Sequence, residues 1–396
     1  MSNAKIILQA KGEQNIPLNK DPQKTFFKEN YRKHTIFGTD WNILSNNFNG
    51  PDDFIKPNSK YYFRIDKNGD VIKNLYLRLK LVKNKNWNKE NFGSYETIFK
   101  LISNIQFMYN DRILADFDSD LIFSLLSLRY NSVEKEHLIQ NICYDNAVKN
   151  SNTNYVELYL PIPLWFHKNP GLAFPLWSLN NPNVGINVIL KNFNGENRKV
   201  KDVELLIDFG YLESLEKEQF TNKSLEYLIE IPQKLESSEL GSLVNRKKIS
   251  IDKTHFIRFM IWNIKKTSDS DNFEYYDDLL RASILFNGNA LVADAHGSFY
   301  NYINRYQFFN ASGSLYLGNS NGKLDRSSLN PIYSYSFSIN PIDYKLSGYF
   351  TTEKYNNVSF DVEVKGRDGV NRTINIYIIK HNLMRIKDGH LSLLYN

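Results

Sequence analysis

Three short sequence echoes recur in the same order about 175 positions apart, and they limit the fold of this 396-residue chain more than any other feature. Phe107-Met-Tyr-Asn110-Asp-Arg-Ile-Leu-Ala-Asp116 resembles Leu285-Phe-Asn287-Gly-Asn-Ala-Leu-Val-Ala-Asp294, with the shared Asn offset by 177 residues. Asn169-Pro170 is matched by Asn340-Pro341 at an offset of 171, and Asn183-Val184-Gly-Ile-Asn-Val by Asn357-Val358-Ser-Phe-Asp-Val at 174. Three matches at nearly one spacing imply that the second half repeats the architecture of the first. The length points the same way, since one hydrophobic core usually stops growing at about 250–300 residues. The expected organisation is a polar arm over residues 1–24, a first domain over 25–200 and a second over 203–396. The change falls near the polar stretch 192–202, NFNGENRKVKD.

Each half reads as β. In VIKNLYLRLKL (71–81), Leu75, Leu77, Leu79 and Leu81 fall on one face and Tyr76, Arg78 and Lys80 on the other, the period of two of a half-buried strand. The Asn68-Gly69 pair before it is a turn signal. Similar runs stand at 155–160, 184–190, 256–264, 283–286, 333–339, 358–364 and 374–379. Spacing loosens towards three or four at 118–140 and 212–230, where short helices are expected. With 26 Phe and 25 Tyr, the chain carries the aromatic excess that suits pleated sheets. About 175 residues per half accommodate roughly eight strands of ordinary length, so the expected fold class is all-β, two tandem eight-stranded jelly-roll sandwiches with short helical insertions.

Catalytic and metal-binding patterns are missing. The lone Cys143 excludes an intrachain disulfide and points to a reducing compartment. The first residues lack an apolar run after a basic start, so no secretory leader is expected, and no stretch approaches about 18 consecutive apolar residues. The net charge of +6 is too small to argue for nucleic acid. Asp116-Phe-Asp118-Ser-Asp120 alternates carboxylates like a calcium loop, but Leu121 and Ser127 stand where such a loop needs Gly and Glu, so it reads as a solvated loop. The seven histidines are dispersed, and neither a nucleophile elbow nor a phosphate-binding loop occurs. Basic clusters at 80–89, with Trp87 interleaved, and at 245–248 read as charged loops. Candidate glycosylation sequons stand at Asn222, Asn310, Asn357 and Asn371. The reading is therefore no catalysis, no cofactor and no metal.

The densest unusual segment is LPIPLWFHKNPGLAFPLWSL (160–179). Its four prolines forbid a helix or a central strand, so it must run as edge strands and a turn. Trp165, Phe166, Phe174 and Trp177, with the Asn169-Pro170 turn between them, then need cover either in a core or from a neighbouring subunit.

That segment, followed by Val184-Gly-Ile-Asn-Val, resembles the most characteristic stretch of the double jelly-roll major capsid proteins of nucleocytoplasmic large DNA viruses. Phe27-Lys-Glu-Asn-Tyr-Arg-Lys-His34-Thr is similar to that family's amino-terminal signature, and Gly69-Asp70-Val-Ile-Lys-Asn-Leu-Tyr76 to its Gly-Asp-Leu strand. Later blocks follow in order. They are Asp208-Phe-Gly-Tyr211-Leu-Glu213 through Glu230, His255 to Trp262, Ser298-Phe-Tyr-Asn301-Tyr302, Ser312-Gly-Ser314 and Asn382-Leu-Met-Arg385-Ile-Lys-Asp-Gly389. The chain departs from the family in being compact and in carrying Leu225-Glu226 before Tyr227, where His-Glu is common.

The resemblance implies a structural protein that forms homotrimers, in which six similar barrels give a pseudo-hexameric capsomer tiling an icosahedral shell. It further implies neighbouring capsomers and minor capsid proteins as partners, an internal membrane beneath the shell, no specific nucleic-acid contact, and assembly into virion capsids in the host cytoplasm. A carbohydrate- or receptor-binding β-sandwich is the alternative that composition alone allows.

Overall fold

The computed structural model describes residues 5–6, 12–13, 16–45, 55–82, 97–130, 155–180, 182–192, 200–221, 224–243, 245–267, 279–309, 332–365 and 370–395. Two units are distinct, Met1–Ile36 and Phe37–Asn396. The first is an arm whose described residues include one helical turn, Ile16–Asn19, with Phe26, Phe27 and Tyr31 exposed.

The second unit is built from four antiparallel sheets. Strands β1 (Phe37–Ser45), β2 (Lys60–Ile65), β3 (Val71–Val82), β4 (Ile102–Tyr109), β5 (Arg112–Asp118), β6 (Tyr155–Pro161), β7 (Phe174–Pro175), β8 (Val184–Leu190) and β9 (Val200–Leu212) come first. Sheet A orders them β1-β9-β3-β6, with β7 beside β3, and sheet B β2-β8-β4-β5. The second set is β10 (Leu225–Lys234), β11 (Ser238–Leu240), β12 (Arg246–Ile251), β13 (Ile257–Lys266), β14 (Leu279–Phe286), β15 (Asn289–His296), β16 (Tyr333–Ser336), β17 (Val358–Val364), β18 (Arg372–Lys387) and β19 (His390–Leu393). Sheet C runs β10-β18-β13-β16, with β11 and β19 beside β18, and sheet D β12-β17-β14-β15.

With the short β7, β11 and β19 set aside, each set has eight strands among the described residues, wound identically. The first, eighth, third and sixth make one sheet and the second, seventh, fourth and fifth the other. Both sets are jelly rolls, so the repeated architecture expected from the echoes is present.

Strand β3 follows its sequence pattern, with Leu75, Leu77, Leu79 and Leu81 fully buried against Ile105, Phe107, Ile186 and Val188 of sheet B. Each such side chain contributes roughly 1.5–3 kcal/mol by leaving water. The second sandwich closes on Met260, Trp262, Ile264, Ile376, Ile378 and Phe360. Gly185 of β8 lies under Tyr62, where a Cβ would stand 2.5 Å from the ring.

Two expectations are corrected. The strand Val200–Leu212, which a boundary at 203 assigns mostly to the second half, pairs with β1 and β3 and closes the first sandwich. The last strand of a jelly roll lies beside its first, and that pairing is non-local. Among the described residues of 212–230 the chain is helical only over Ser214–Thr221, and from Leu225 it is strand β10. The other expected helix lies at Ser119–Arg129, while 131–140 fall outside the described residues.

Candidate assembly surfaces and the junction between sandwiches

The helix α1 (Ser119–Arg129) joins the fifth strand of the first sandwich towards its sixth, and every residue from Ser119 to Leu128 is buried. Its cover comes from its own sandwich, where Phe123 meets Phe99 edge-on at 5.4 Å, and from the second. Along β13 and β18, Met260, Trp262, Ile376 and Ile378 face the interior of their own sandwich. The alternate residues Phe259, Ile261, Tyr377 and Ile379 belong to the core of the first. Sheet C is therefore buried on both faces, and β13 is buried at every position except Lys266.

Charged groups fix how α1 sits there. Asp118 caps the helix, accepting from Leu121 N–H at 2.8 Å, and its other oxygen accepts from Lys234 Nζ at 2.7 Å and from the Tyr377 hydroxyl at 2.8 Å. Burial, then the charge of Asp118, holds the Tyr377 phenol well above its usual range. Asp120 pairs with Lys265 at 2.5 Å, and at the other end of α1 Arg129 pairs with Glu230 at 2.5 Å. Glu230 also pairs with Arg258, whose guanidinium burial pulls down to about 9. The acidic run is thus a clamp between sandwiches rather than a solvated loop. Its partners lie more than a hundred residues away, which is why the run alone misleads. Asp116 accepts from Asn104 and Gln106 on the neighbouring strand. Among the described residues no cluster of potential metal ligands occurs.

Among the described residues, the equivalent surfaces at the other end of the repeat leave large apolar side chains exposed. In the second sandwich the segment between fifth and sixth strands begins with a π-helical turn, Phe299–Ile303, that runs into α2 (Asn304–Phe308). Tyr300, Asn301, Asn304 and Arg305 point inward, while Tyr302, Ile303 and Tyr306 are exposed, Tyr306 by 82%. The outer face of sheet A, counterpart of the covered face of sheet C, exposes Trp41 and Ile43 of edge strand β1. Trp41 packs on Tyr76 with ring centroids 5.8 Å apart. Ion pairs flank this aromatic strip: Lys73 with Asp208 at 3.0 Å and Lys80 with Glu204 at 2.7 Å, with Arg78 also on Glu204. Burial raises the Glu204 carboxyl, but Lys80 and Arg78 outweigh it and hold it below its ordinary value.

The proline-rich segment serves the core. Trp165, Phe166 and Phe174 are buried and meet Phe107 edge-on at 5.7, 5.9 and 5.2 Å. Asn169 is half-buried, Pro170 is exposed, and Trp177 is half-buried beside Phe220 at 6.5 Å. Asn357 and Asn371 are exposed, and Asn222 and Asn310 lie outside the described residues, as do Cys143 and Trp87. In the basic cluster at 245–248, Arg246 pairs with Asp361 at 2.8 Å and Lys247 Nζ donates to the Glu239 carbonyl at 2.8 Å.

Residues 25–207 match the sequence profile of the major capsid protein N-terminus. Over the whole chain, the major capsid protein of Pyramimonas orientalis virus is 25% identical across 411 residues, covering 100% of both sequences. That of Paramecium bursaria Chlorella virus 1 is 24% identical over 98% of each. Along the whole chain, then, the sequence is similar to viral major capsid proteins. The fold agrees. A chain of the solved PBCV-1 virus capsid superimposes with a TM-score of 0.74 at 19% identity, over 94% of this chain and 100% of that one. The Faustovirus major capsid protein gives 0.68 at 10% identity, over 97% and 96%. The chain is thus similar in sequence to viral major capsid proteins and has the double jelly-roll fold, and of the blocks quoted for the resemblance those at 69–76, 160–179, 184–188, 208–213 and 255–262 lie in its two sandwiches.

What sequence reading missed is the division of labour between equivalent surfaces. A signal exists for part of it. SDLIFSLLSL in α1 carries only a narrow stripe of small polar residues, Asp120, Ser124 and Ser127, and is otherwise apolar, as suits an enclosed helix, whereas NYINRYQ leaves Tyr302, Ile303 and Tyr306 on an open stripe.

Proposed function

We propose that this chain builds the shell as a homotrimer in which the contact between its own sandwiches is repeated between chains. One observation carries the reading: α1 of the first sandwich covers the outer face of sheet C, while at the equivalent places Tyr302, Ile303 and Tyr306 of the segment Phe299–Phe308 and Trp41 and Ile43 at the edge of sheet A are exposed. A segment from one copy laid on sheet A of the next makes a heterologous contact, and heterologous contacts close into rings when the rotation permits. Two similar sandwiches per chain give a ring of three the outline of a hexagon. Exposed Tyr, Trp and Ile at the two faces suit a protein interface, where aromatic residues are enriched.

In this reading the two building blocks meet between β9 and β10, and the arm of residues 1–24 reaches minor capsid proteins or neighbouring capsomers above an internal membrane. Shells then form in the host cytoplasm, and sugars on loops at Asn357 or Asn371 face outward.

Sedimentation of the purified protein tests the reading. Three copies of 46.3 kDa, about 139 kDa, are expected, and a species that stays at 46.3 kDa at high concentration overturns it. Deleting residues 1–24 should spare the trimer and prevent shell assembly, and normal shells from the truncated chain would remove the arm from the account.

A further inference from the structure

A cavity of about 280 Å³ lies where the two sandwiches meet, between the end of α1, the turn of the proline-rich segment, β10, β18 and the loop at 342–344. Its walls carry several hydrogen-bonding groups without a partner. Trp165 and His381 are 5% and 3% exposed, and neither the Trp165 indole Nε1 nor either ring nitrogen of His381 has a partner. His167 uses Nε2 towards the Tyr130 hydroxyl at 3.2 Å and leaves Nδ1 buried and open, and Asn169 Nδ2 is open as well. Lys168 stands at the rim, its Nζ 4.3 Å from the centre of the Tyr130 ring.

The acids in the wall are already engaged. Glu230 is shared by Arg129 and Arg258, and Asp343 Oδ1 accepts from Lys345 N–H at 3.3 Å. A buried donor left unmet costs its desolvation, so a ligand that meets several at once gains accordingly. Several donors and a cation converging on one space fit an acceptor-only group. The volume is several times the roughly 30 Å³ share of one water, which suffices for a tetrahedral anion with part of its hydration.

We propose that this junction cavity is a binding site for a small oxyanion of the sulfate or phosphate class, held by Trp165, His167, Lys168 and Asn169 of the first sandwich and His381 of the second. The anion bridges the sandwiches, so it stabilises the folded chain by mass action. Its negative charge also favours protonation of His381, which faces Arg258, Arg129, Glu230 and Asp343, and of His167, which faces Arg129, Lys168 and Tyr130. Binding therefore takes up protons and tightens as pH falls.

The test is calorimetric titration of the full chain with sodium sulfate at constant ionic strength in chloride. Sulfate keeps its charge between about pH 5 and 8, so any pH dependence belongs to the protein. One saturable site is expected, tighter at pH 5.5 than at pH 8. Lys168→Met and Trp165→Phe should each weaken it about tenfold, the scale of one hydrogen bond to a charged group. Lys168 is exposed, so its variant folds, and circular dichroism checks the Trp165 variant. Absence of a saturable site in millimolar sulfate, or equal affinity in wild type and Lys168→Met, overturns the proposal. The outcome is independent of trimer formation, because all the groups belong to one chain.

Discussion

Asn110 and Asn287 make the same contact in the two sandwiches. Each sits at the tip of the hairpin between fourth and fifth strands with positive φ, 45° and 48°. Asn110 donates its N–H to the Asn183 carbonyl at 2.9 Å and accepts from Asn183 N–H through Oδ1 at 3.0 Å. Asn287 donates to the Asn357 carbonyl at 2.8 Å and accepts from Asn357 N–H at 3.1 Å. Two of the three sequence echoes are therefore the two ends of one hydrogen-bonded corner, built twice.

Asn tolerates the left-handed conformation because its short side chain bonds locally. Replacing either Asn110 or Asn287 by Ala should cost about 1–2 kcal/mol of stability in urea unfolding, from the lost bond and the backbone strain together. The turns differ at their second position, Asp111 with φ 65° against Gly288 with φ 84°. Asp111→Gly should therefore stabilise the first hairpin by about 0.5 kcal/mol, copying what the second already has. A drop in stability would show that Asp111 makes a contribution the turn geometry does not explain.

The clamp around α1 predicts a strongly non-additive pair. Asp120→Ala leaves Lys265, 4% exposed, without its carboxylate, which should cost about 3–5 kcal/mol. Lys265→Met in the same chain removes the buried ammonium, so the double variant should recover part of the loss. Urea midpoints of the four proteins close the cycle. Additive losses would mean that Asp120 and Lys265 do not depend on each other.

At the exposed faces, Tyr306→Asp and Trp41→Asp should each leave a folded chain of 46.3 kDa in sedimentation, with unfolding temperature little changed. The side chains are 82% and 53% exposed, so a charge there burdens the assembled state and not the fold. A trimer that survives both substitutions would move the subunit contact elsewhere.

How far the sequence reveals this molecule depends on whether a pattern is local. The β3 alternation and the Asn-containing corners are local and read directly. Strand β13, Ile257–Lys266, carries apolar residues on both sides because sheet C is covered on both faces. Its pattern therefore says "buried" without saying by what. The closing strand β9 belongs to the first sandwich through pairing with β1, 159 to 175 residues earlier, and a composition shift at 192–202 cannot reveal that. The junction cavity draws on α1, the 165–169 turn, β10 and β18, so its chemistry exists only after folding. Asp118 and Asp120 invite a calcium reading for the same reason, since Lys234, Lys265 and Tyr377 stand far along the chain.

The buried histidines at the junction set the acid stability of the chain. Burial, then Arg129 and Lys168, lowers His167 to about 3, and burial, then Arg258, lowers His381 to about 4. Both are neutral in the folded protein at pH 6, whereas in the unfolded chain they take up protons below about 6.5. The unfolded state binds more protons across that window, so stability falls as pH drops from about 6.5 towards 4. In buffer free of sulfate and phosphate, the unfolding temperature should decline by several degrees between pH 7 and 5. His381→Asn removes one titrating group and should flatten the decline, while lowering the temperature at pH 7 by less. An equally steep decline in that variant would shift the acid sensitivity to groups outside the junction.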